Sequence, residues 1–458
     1  MTMTKQLYFI LTLLLFAVCT KIDKNLNPNI IYILTDDLGY GDIGVYGATD
    51  IKTPNIDYLA NNGILFTDFY SASSVCTPSR AGLLTGRYPQ RMGVNGVFFP
   101  ESFQGMPTEE FTIAEMLKVK NYKTGLIGKW HLGHHQSFLP LSQGFDEYFG
   151  IPYSNDMESV VYMRGNKVFT HTVDQSQLTK TYTQEAINFI DRVEDQPFFL
   201  FFSHNMPHVP LYASDEFLGS SDRGLYGDVV QEIDWSVGQI IKKLKDNDLL
   251  NNTLIVFSSD NGPWLVMEDH SGSSGGLREG KMYSFDGGMK VPLIAMWASY
   301  IPSNTRVVEM ATQLDWFPTI AEITGFKIPK NLVIDGVSLV KVLNNSDKRE
   351  DEGFLFLEYE ELTGYRKGDW KVKKPSMGFE GTWWKNATSS HDSLLFNLKY
   401  DPFEMDNLFD ANKEFARKLF NEMEKEYFNL GELPPSIYIR TPADESHLEY
   451  LNLNNIPK

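Results

Sequence analysis

Several stretches of the chain are apolar without polar alternation: Ile30–Thr35 (IIYILT), Leu126-Ile127, Phe198–Ser203 (FFLFFS), Leu254–Ser258 (LIVFS) and Val291–Trp297 (VPLIAMW). Such β-branched and aromatic runs predict strands buried on both faces, as in a parallel sheet covered by helices. Between them, Asp228–Leu244 places Val230, Ile233, Val237, Ile240, Ile241 and Leu244 at helical spacing, the apolar stripe of a covering helix. The predicted architecture is an α/β sandwich with a mainly parallel sheet. After about residue 350 the texture changes. Phe354–Tyr359 and Tyr365–Lys374 predict neighbouring strands separated by Thr363-Gly364, and Ala411–Tyr427 predicts one amphipathic helix, so a small α+β subdomain is expected there.

The first residues have a different pattern. Lys5 precedes an uncharged stretch, Gln6–Thr20, whose core Leu7–Val18 is too short to span a bilayer and suits a signal peptide over 1–20. An exported protein, periplasmic or secreted, is expected. Phe16-Ala17-Val18-Cys19 is a loose lipobox, with the bulky Val18 against it. A cleaved soluble form and a lipid anchor at Cys19 both stay open, and that anchor is the one membrane association expected.

Charge narrows the functional classes. Across 458 residues, 41 Lys and Arg against 59 Asp and Glu give a net charge of −18, which argues against a nucleic-acid partner. With 42% hydrophobic and 13% aromatic residues, disorder is excluded as well. The length suggests two or three units, with one dominant core and a smaller appendage favoured. Of the two cysteines, Cys19 belongs to the leader, so Cys76 is left without a disulfide partner.

The residues just past each strand carry the chemistry. Ile30–Thr35 runs into Asp36-Asp37, Leu126-Ile127 into Gly128-Lys129-Trp130-His131, Phe198–Ser203 into His204–His208, and Leu254–Ser258 into Asp260-Asn261-Gly262. Singly, each reads as turn or capping chemistry. Together they would converge at the carboxyl edge of a parallel sheet, where open α/β sheets bind ligands. In Ser74–Arg87, Thr77-Pro78 predicts a helix start and Gly86 its stop, placing Cys76 just before the N-terminus with Arg80 in the first turn. That setting favours an anion. An activated thiolate is one reading, but it would need a base and no metal, whereas the surrounding carboxylates ask for one.

The strings themselves are distinctive: C-T-P-S-R-A-G-L-L-T-G-R at Cys76–Arg87, I-L-T-D-D-L-G-Y-G-D at Ile33–Asp42, T-P-N-I-D at Thr53–Asp57 and G-K-W-H-L-G-H at Gly128–His134. They continue as S-S-D-N-G at Ser258–Gly262, R-E-G-K at Arg278–Lys281 and L-F-N-L-x-x-D-P-x-E-x-x-N-L at Leu395–Leu408. The set resembles the formylglycine-dependent (type I) sulfatases, whose cysteine is oxidised after synthesis to an aldehyde. The stretches His208–Gly219 and Arg223–Asp228 are most similar to the N-acetylgalactosamine-6-sulfatase and arylsulfatase A branch. One departure is Asn121, where the family usually has glycine; asparagine tolerates the same left-handed conformation.

The resemblance implies an alkaline-phosphatase-like sandwich, with a catalytic domain over 28–348 and a C-terminal subdomain over 349–458, bearing an antiparallel sheet, that completes the substrate cleft. It implies one Ca²⁺ held by Asp36, Asp37, Asp260, Asn261 and the modified Cys76, all hard oxygen donors. Related phosphomonoesterases clamp two zinc ions with imidazoles, and histidine is absent from this ligand set. An aldehyde hydrate is apt because one hydroxyl can attack sulfur while the other later expels sulfate and restores the carbonyl. Arg80 would steady the formylglycine, Lys129 and Lys281 would neutralise sulfate oxygens, His131 would serve the formylglycine and His208 the leaving alcohol.

The implied activity is sulfuric ester hydrolysis on an aryl or carbohydrate sulfate, after action by a formylglycine-generating partner enzyme. A formylglycine phosphodiesterase or phosphonate hydrolase and a non-catalytic carbohydrate-binding relative are the alternatives. The net charge of −18 would repel a long polyanion, so exo action on small sulfated oligosaccharides is expected. His134 has a weaker claim to a role, through its motif, and His135 and His204 weaker still. Trp264, Tyr283, Trp383 and Trp384 could stack on a sugar, although core packing is the commoner fate of such residues.

Overall fold

The computed structural model describes residues 27–100, 103–157, 160–349, 352–377 and 390–437. The leader over 1–20, Cys19, Trp383 and Trp384 lie outside the described residues. The main sheet comprises β1 (Asn29–Thr35), β2 (Ile64–Phe66), β4 (Lys123–Gly128), β5 (Glu147–Gly150), β6 (Tyr162–Arg164), β7 (Lys167–Thr170), β8 (Phe198–Ser203), β9 (Thr253–Ser259), β10 (Leu293–Met296) and β11 (Thr305–Val307). β3 (Phe69–Tyr70) and β12 (Ala311–Thr312) form a separate two-stranded ribbon.

The order is β11-β2-β10-β9-β1-β8-β4-β5-β6-β7. Its centre, from β9 through β1, β8 and β4 to β5, is parallel. The β11-β2-β10 flank is mixed, and the β5-β6-β7 flank is antiparallel. β10 runs antiparallel to β9 and β2, which corrects the parallel expectation for Val291–Trp297. The unbroken apolar run there reflects burial on both faces, a condition that does not depend on strand direction.

Successive residues of β1 point to opposite faces and enter two cores. Ile30, Tyr32 and Leu34 pack with the Cys76–Thr85, Ile113–Val119 and Trp316–Ile323 helices, while Ile31 and Ile33 pack with Pro54–Asn61, Leu178–Val193 and Gly224–Asp246. The predicted covering helix is therefore present, slightly longer than its apolar stripe. It also caps a neighbour. Thr53 makes no side-chain cap for Pro54–Asn61; instead Asp234 Oδ1 accepts from the backbone N–H groups of Asn55 at 2.9 Å and Ile56 at 2.8 Å. Burial pushes the Asp234 carboxyl up to about 6. Asn121 has φ 62, the left-handed conformation its residue type tolerates.

A second sheet, antiparallel in the order β13 (Phe354–Glu358), β14 (Glu361–Lys367), β15 (Trp370–Lys373) and β16 (Leu394–Asn397), packs against the Lys413–Asn429 helix through Ala416, Leu419 and Met423. Thr363-Gly364 lies inside β14, contrary to its expected role as a separator. The turns are at Tyr359, with φ 53, and Gly368, with φ 56, so the expected strand Tyr365–Lys374 is split in two.

Buried charge docks this sheet on the β3 ribbon and on the segment from Asp286 to Lys290. Asp286 accepts from Tyr70 Oη at 2.9 Å and Lys371 Nζ at 2.7 Å, and Lys371 also reaches Glu404 Oε1 at 2.8 Å. Arg366 Nη1 donates to Tyr70 Oη at 2.6 Å and to Asp68 Oδ1 at 2.9 Å, and Lys290 pairs with Asp68 at 2.6 Å. Burial opposes ionisation of Asp286, but Lys371, Lys290 and Arg366 outweigh it and hold its carboxyl well below the ordinary range.

Removing one partner from such a network strands buried charge. Asp286→Ala should cost about 3–5 kcal/mol in urea unfolding, and a loss under about 1 kcal/mol would contradict this docking. A second outcome concerns Asp234. Because its folded-state pKa is raised to about 6, its proton-linked stabilisation is complete below about pH 4 and is lost as the pH rises through 6. Relative to Asp234→Asn, the parent should therefore lose on the order of 2–3 kcal/mol between about pH 4 and pH 7, measured by unfolding titrations at each pH.

Candidate active site

The four polar segments singled out from the sequence follow β9, β1, β8 and β4, which are adjacent in the sheet and end at one level. Thr35 pairs with Ser259, Leu34 with Ser203, and Gly128 with Ser203. Close approach at Gly128 is required: its φ is 113, and a Cβ there would lie 1.7 Å from the Ser203 carbonyl oxygen. Two non-glycine residues beyond these strand ends also hold left-handed backbones, Asp37 at φ 64 and His131 at φ 63. Such strain persists only where the surroundings enforce it. At Asp37 the enforcing contact is its own N–H, which donates to Asp260 Oδ1 at 3.2 Å.

Every sequence-predicted site residue is buried, and all come together around Cys76. Lys129 Nζ reaches Asp36 Oδ2 at 2.5 Å, and Lys281 Nζ reaches Asp37 Oδ2 at 2.8 Å. Arg80 donates through Nε to Asp260 Oδ2 at 2.9 Å and through Nη1 to Ser203 Oγ at 2.6 Å, and its Nη2 lies 3.8 Å from Asp36 Oδ1. Three carboxylates thus face three cations. Burial opposes the charge on Lys281, but Asp37, Cys76 and Asp36 together outweigh it and raise the ammonium pKa.

The Cys76–Thr85 helix begins two residues earlier than expected. Val75 is its cap and Cys76 its first residue, so Thr77 is free of capping duty and Arg80 falls in the second turn. Thr77 Oγ1 instead donates to the His131 carbonyl at 3.0 Å and accepts from Phe98 N at 3.2 Å, tying the helix to the loop after β4. The helix ends at Gly86, φ 68, as expected. Burial pushes the Cys76 thiol up while Lys129 and Lys281 pull it down; the net shift is upward, which disfavours the activated-thiolate reading.

The two histidines differ in orientation. His131 Nε2 lies 2.9 Å from the Phe98 carbonyl, which can only accept, so Nε2 carries the hydrogen and Nδ1 keeps its lone pair. Nδ1 is buried and without a partner among the described residues. Burial, together with Lys129 and Arg80, holds this imidazole well below its usual pKa and keeps it neutral. His208 directs Nδ1 at the Val209 carbonyl, 2.5 Å away, and presents Nε2 to Asp37 Oδ2 at 3.6 Å. The Trp264 ring lies 5.7 Å from the His208 ring and 4.9 Å from Lys281 Nζ, so this tryptophan borders the site instead of packing in the core.

Three further histidines near these motifs pack against aromatic rings. His204 is fully buried against Phe202, neither ring nitrogen has a partner among the described residues, and burial takes its pKa down to about 3. His134 packs against Tyr153 and His135 against Phe103. Some positioning residues were not anticipated. Gln313 accepts from Ala72 N at 2.9 Å, lies 2.7 Å from Ser79 Oγ and donates to the Ser259 carbonyl at 3.0 Å, bracing both the helix and β9. Nothing in its sequence context signals this. Ser203 and Ser79 sat inside quoted motifs without an assigned task.

The acidic set suits a hard cation. Asp36, Asp37 and Asp260 each offer an oxygen within 4.8 Å of the others. Asp36 Oδ1 and Asn261 Oδ1 are buried and accept no hydrogen bond from the described residues. Asn261 is oriented by its amide nitrogen, which donates to Asp37 Oδ1 at 2.7 Å and to the Gly262 carbonyl at 2.9 Å. Unspent carboxylate and amide oxygens turned together are what calcium takes as ligands.

Comparison with known proteins identifies the family. The family model described as Sulfatase matches residues 28–326, and that described as N-sulphoglucosamine sulphohydrolase, C-terminal, matches 279–431. N-acetylgalactosamine-6-sulfatase of Sus scrofa is 40% identical over 463 residues, covering 91% of this chain and 89% of that protein. Arylsulfatase A of Bos taurus is 37% identical over 432 residues, covering 85% of each. Among solved structures, Ps i-CgsB in complex with k-i-k-neocarrahexaose aligns with a TM-score of 0.79 at 30% identity, over 94% of this chain and 98% of that one. The sandwich is accordingly the alkaline-phosphatase-like fold of the sulfatases, and the similarity favours sulfate ester hydrolysis over the phosphodiester and non-catalytic alternatives. The chain belongs to the sulfatase family and is an enzyme that hydrolyses sulfate esters.

Proposed function

We propose that this sulfatase removes sulfate from carbohydrate or aryl sulfate monoesters above Cys76, with Cys76 oxidised to formylglycine and one Ca²⁺ held by Asp36, Asp37, Asp260, Asn261 and residue 76. The observation that carries this reading is the pair of unspent oxygens, Asp36 Oδ1 and Asn261 Oδ1, buried beside a cysteine that Lys129 and Lys281 flank. The hydrated aldehyde supplies two hydroxyls on one carbon, one for attack on sulfur and one for release of sulfate, and calcium supplies hard positive charge for a sulfate oxygen.

The chain's own residues do the rest. Lys129 and Lys281 donate to sulfate oxygens, each already fixed by a carboxylate. Arg80, held by Asp260 and Ser203, steadies residue 76. His131 uses its Nδ1 lone pair to take a proton at residue 76, because Nε2–H is committed to Phe98. His208 delivers a proton from Nε2 to the leaving alcohol, its other nitrogen being committed to Val209. The names of the relatives support a sulfated saccharide as substrate: one is an N-acetylgalactosamine-6-sulfatase, and another was solved with an oligosaccharide. The net charge of −18 favours short chains attacked from an end. Maturation requires a formylglycine-generating enzyme, and the leader over 1–20 directs export to the periplasm or beyond, with Cys19 as the alternative lipid anchor.

Two experiments test this. Matured protein should give a Cys76 peptide with the mass of the aldehyde. Cys76→Ala, or the parent stripped of calcium by a chelator, should lose on the order of 10³-fold or more in turnover of 4-nitrophenyl sulfate. Undiminished turnover by a thiol-bearing or calcium-free enzyme would refute the reading. The two imidazoles should separate by leaving group. His208→Ala should lose about 10²-fold or more on a saccharide sulfate but much less on 4-nitrophenyl sulfate, whose phenolate leaves without a proton, whereas His131→Ala should lose on both. Equal losses for His208→Ala on the two substrates would remove its assigned role.

A further inference from the structure

The segment after Lys281 leads from the chemistry into the second sheet. Met282 N donates to the Ser74 carbonyl at 2.8 Å, two residues before Cys76, and Ser284 Oγ lies 2.7 Å from Thr363 Oγ1 on β14. Met282 and Tyr283 line a cavity of about 780 Å³ whose far wall is formed by β13, β14 and β15, with Glu358 and Lys373 facing it.

Lys373 is the unusual member. It is only 2% exposed and makes no ion pair with a carboxylate among the described residues. Its Nζ bonds Ser284 Oγ and lies 4.4 Å from the centre of the Phe285 ring. An ammonium has three N–H donors, so beyond the Ser284 hydroxyl and the Phe285 ring at least one is unspent. Lys371, two residues earlier on the same face of β15, is equally buried but meets Asp286 at 2.7 Å and Glu404 at 2.8 Å. One lysine serves docking, then, and its neighbour is left open at a cost in stability. Burial takes the Lys373 pKa down to about 8, with Glu358 opposing the shift. Glu358 is itself half spent: Oε1 accepts from Ser284 N at 2.5 Å, and no described residue donates to its other oxygen.

An unspent donor beside an unspent acceptor matches a group that both donates and accepts, which is a hydroxyl. Glu279, Glu360 and Glu361 also line the cavity, but so do Arg278 and Lys374, so its wall carries both signs of charge, as suits a neutral polar ligand. Tyr283 adds an aromatic wall of the kind a sugar ring packs on. We propose that this cavity is the sugar-binding subsite of the enzyme, in which Lys373 and Glu358 grip neutral hydroxyls of the saccharide that carries the scissile sulfate. The inference rests on the sulfatase reading above and adds the residues that select a sugar.

Lys373→Met and Glu358→Gln test it. On the saccharide sulfate that the parent turns over fastest in a panel, each should raise KM by about tenfold or more. On 4-nitrophenyl sulfate, which has no sugar, kcat/KM should stay within about threefold of the parent. Lys373→Met should also unfold no more easily than the parent, since it removes an unpaired buried charge. Calorimetric binding of the desulfated saccharide reads the subsite without turnover, and the variants should bind about tenfold more weakly. Equal losses on both esters, or unchanged KM and binding for the saccharide, would overturn the subsite. A parent inactive on both esters that still shows the binding difference would overturn the sulfatase reading alone.

Discussion

At the carboxyl ends of four adjacent strands, Asp36, Asp37 and Asp260 are neutralised by Arg80, Lys129 and Lys281, and neither set could be buried without the other. This mutual compensation lets a strongly acidic chain bring acidic side chains together out of solvent. It also leaves specific atoms uncommitted. Asp36 Oδ1, Asn261 Oδ1 and His131 Nδ1 have no hydrogen-bond partner among the described residues. A folded core that leaves such atoms unspent is arranged for a ligand, and the proposed calcium and sulfate account for them.

The frame enforcing these positions is backbone as much as side chain. Left-handed conformations at Asp37 and His131, and the Gly128 contact with Ser203, turn the chain sharply where each strand ends. Gln313, Ser79 and Thr77 then tie the Cys76 helix to the loops beyond β9 and β4. The residues proposed for chemistry are thus held by others that do none, which is how a site keeps its geometry to fractions of an ångström.

The second sheet is part of the same construction. Between Arg278 and Lys290 the chain contributes Lys281 to the site, Ser284 to the contact with β13, β14 and β15, and Asp286 to the buried docking network. A disturbance at the docking surface would therefore reach Lys281 through only five residues of chain.

Much of this was legible in the sequence. Continuous apolar runs marked the buried strands, helical spacing marked their cover, and polar residues after each run marked one edge of the sheet, because chain direction and side-chain period are local properties. The motif around Cys76 located the helix start to within two residues and its stop at Gly86. What the sequence left open was decided by partners far along the chain. The direction of β10, the turns at Tyr359 and Gly368, the bracing by Gln313 and the difference between Lys371 and Lys373 depend on which groups meet in space. Two lysines on the same strand, two residues apart, read alike as letters. Only the tertiary structure places carboxylates against one and leaves the other facing a cavity, because the energy of a buried charge is set by its surroundings and not by its own chemistry.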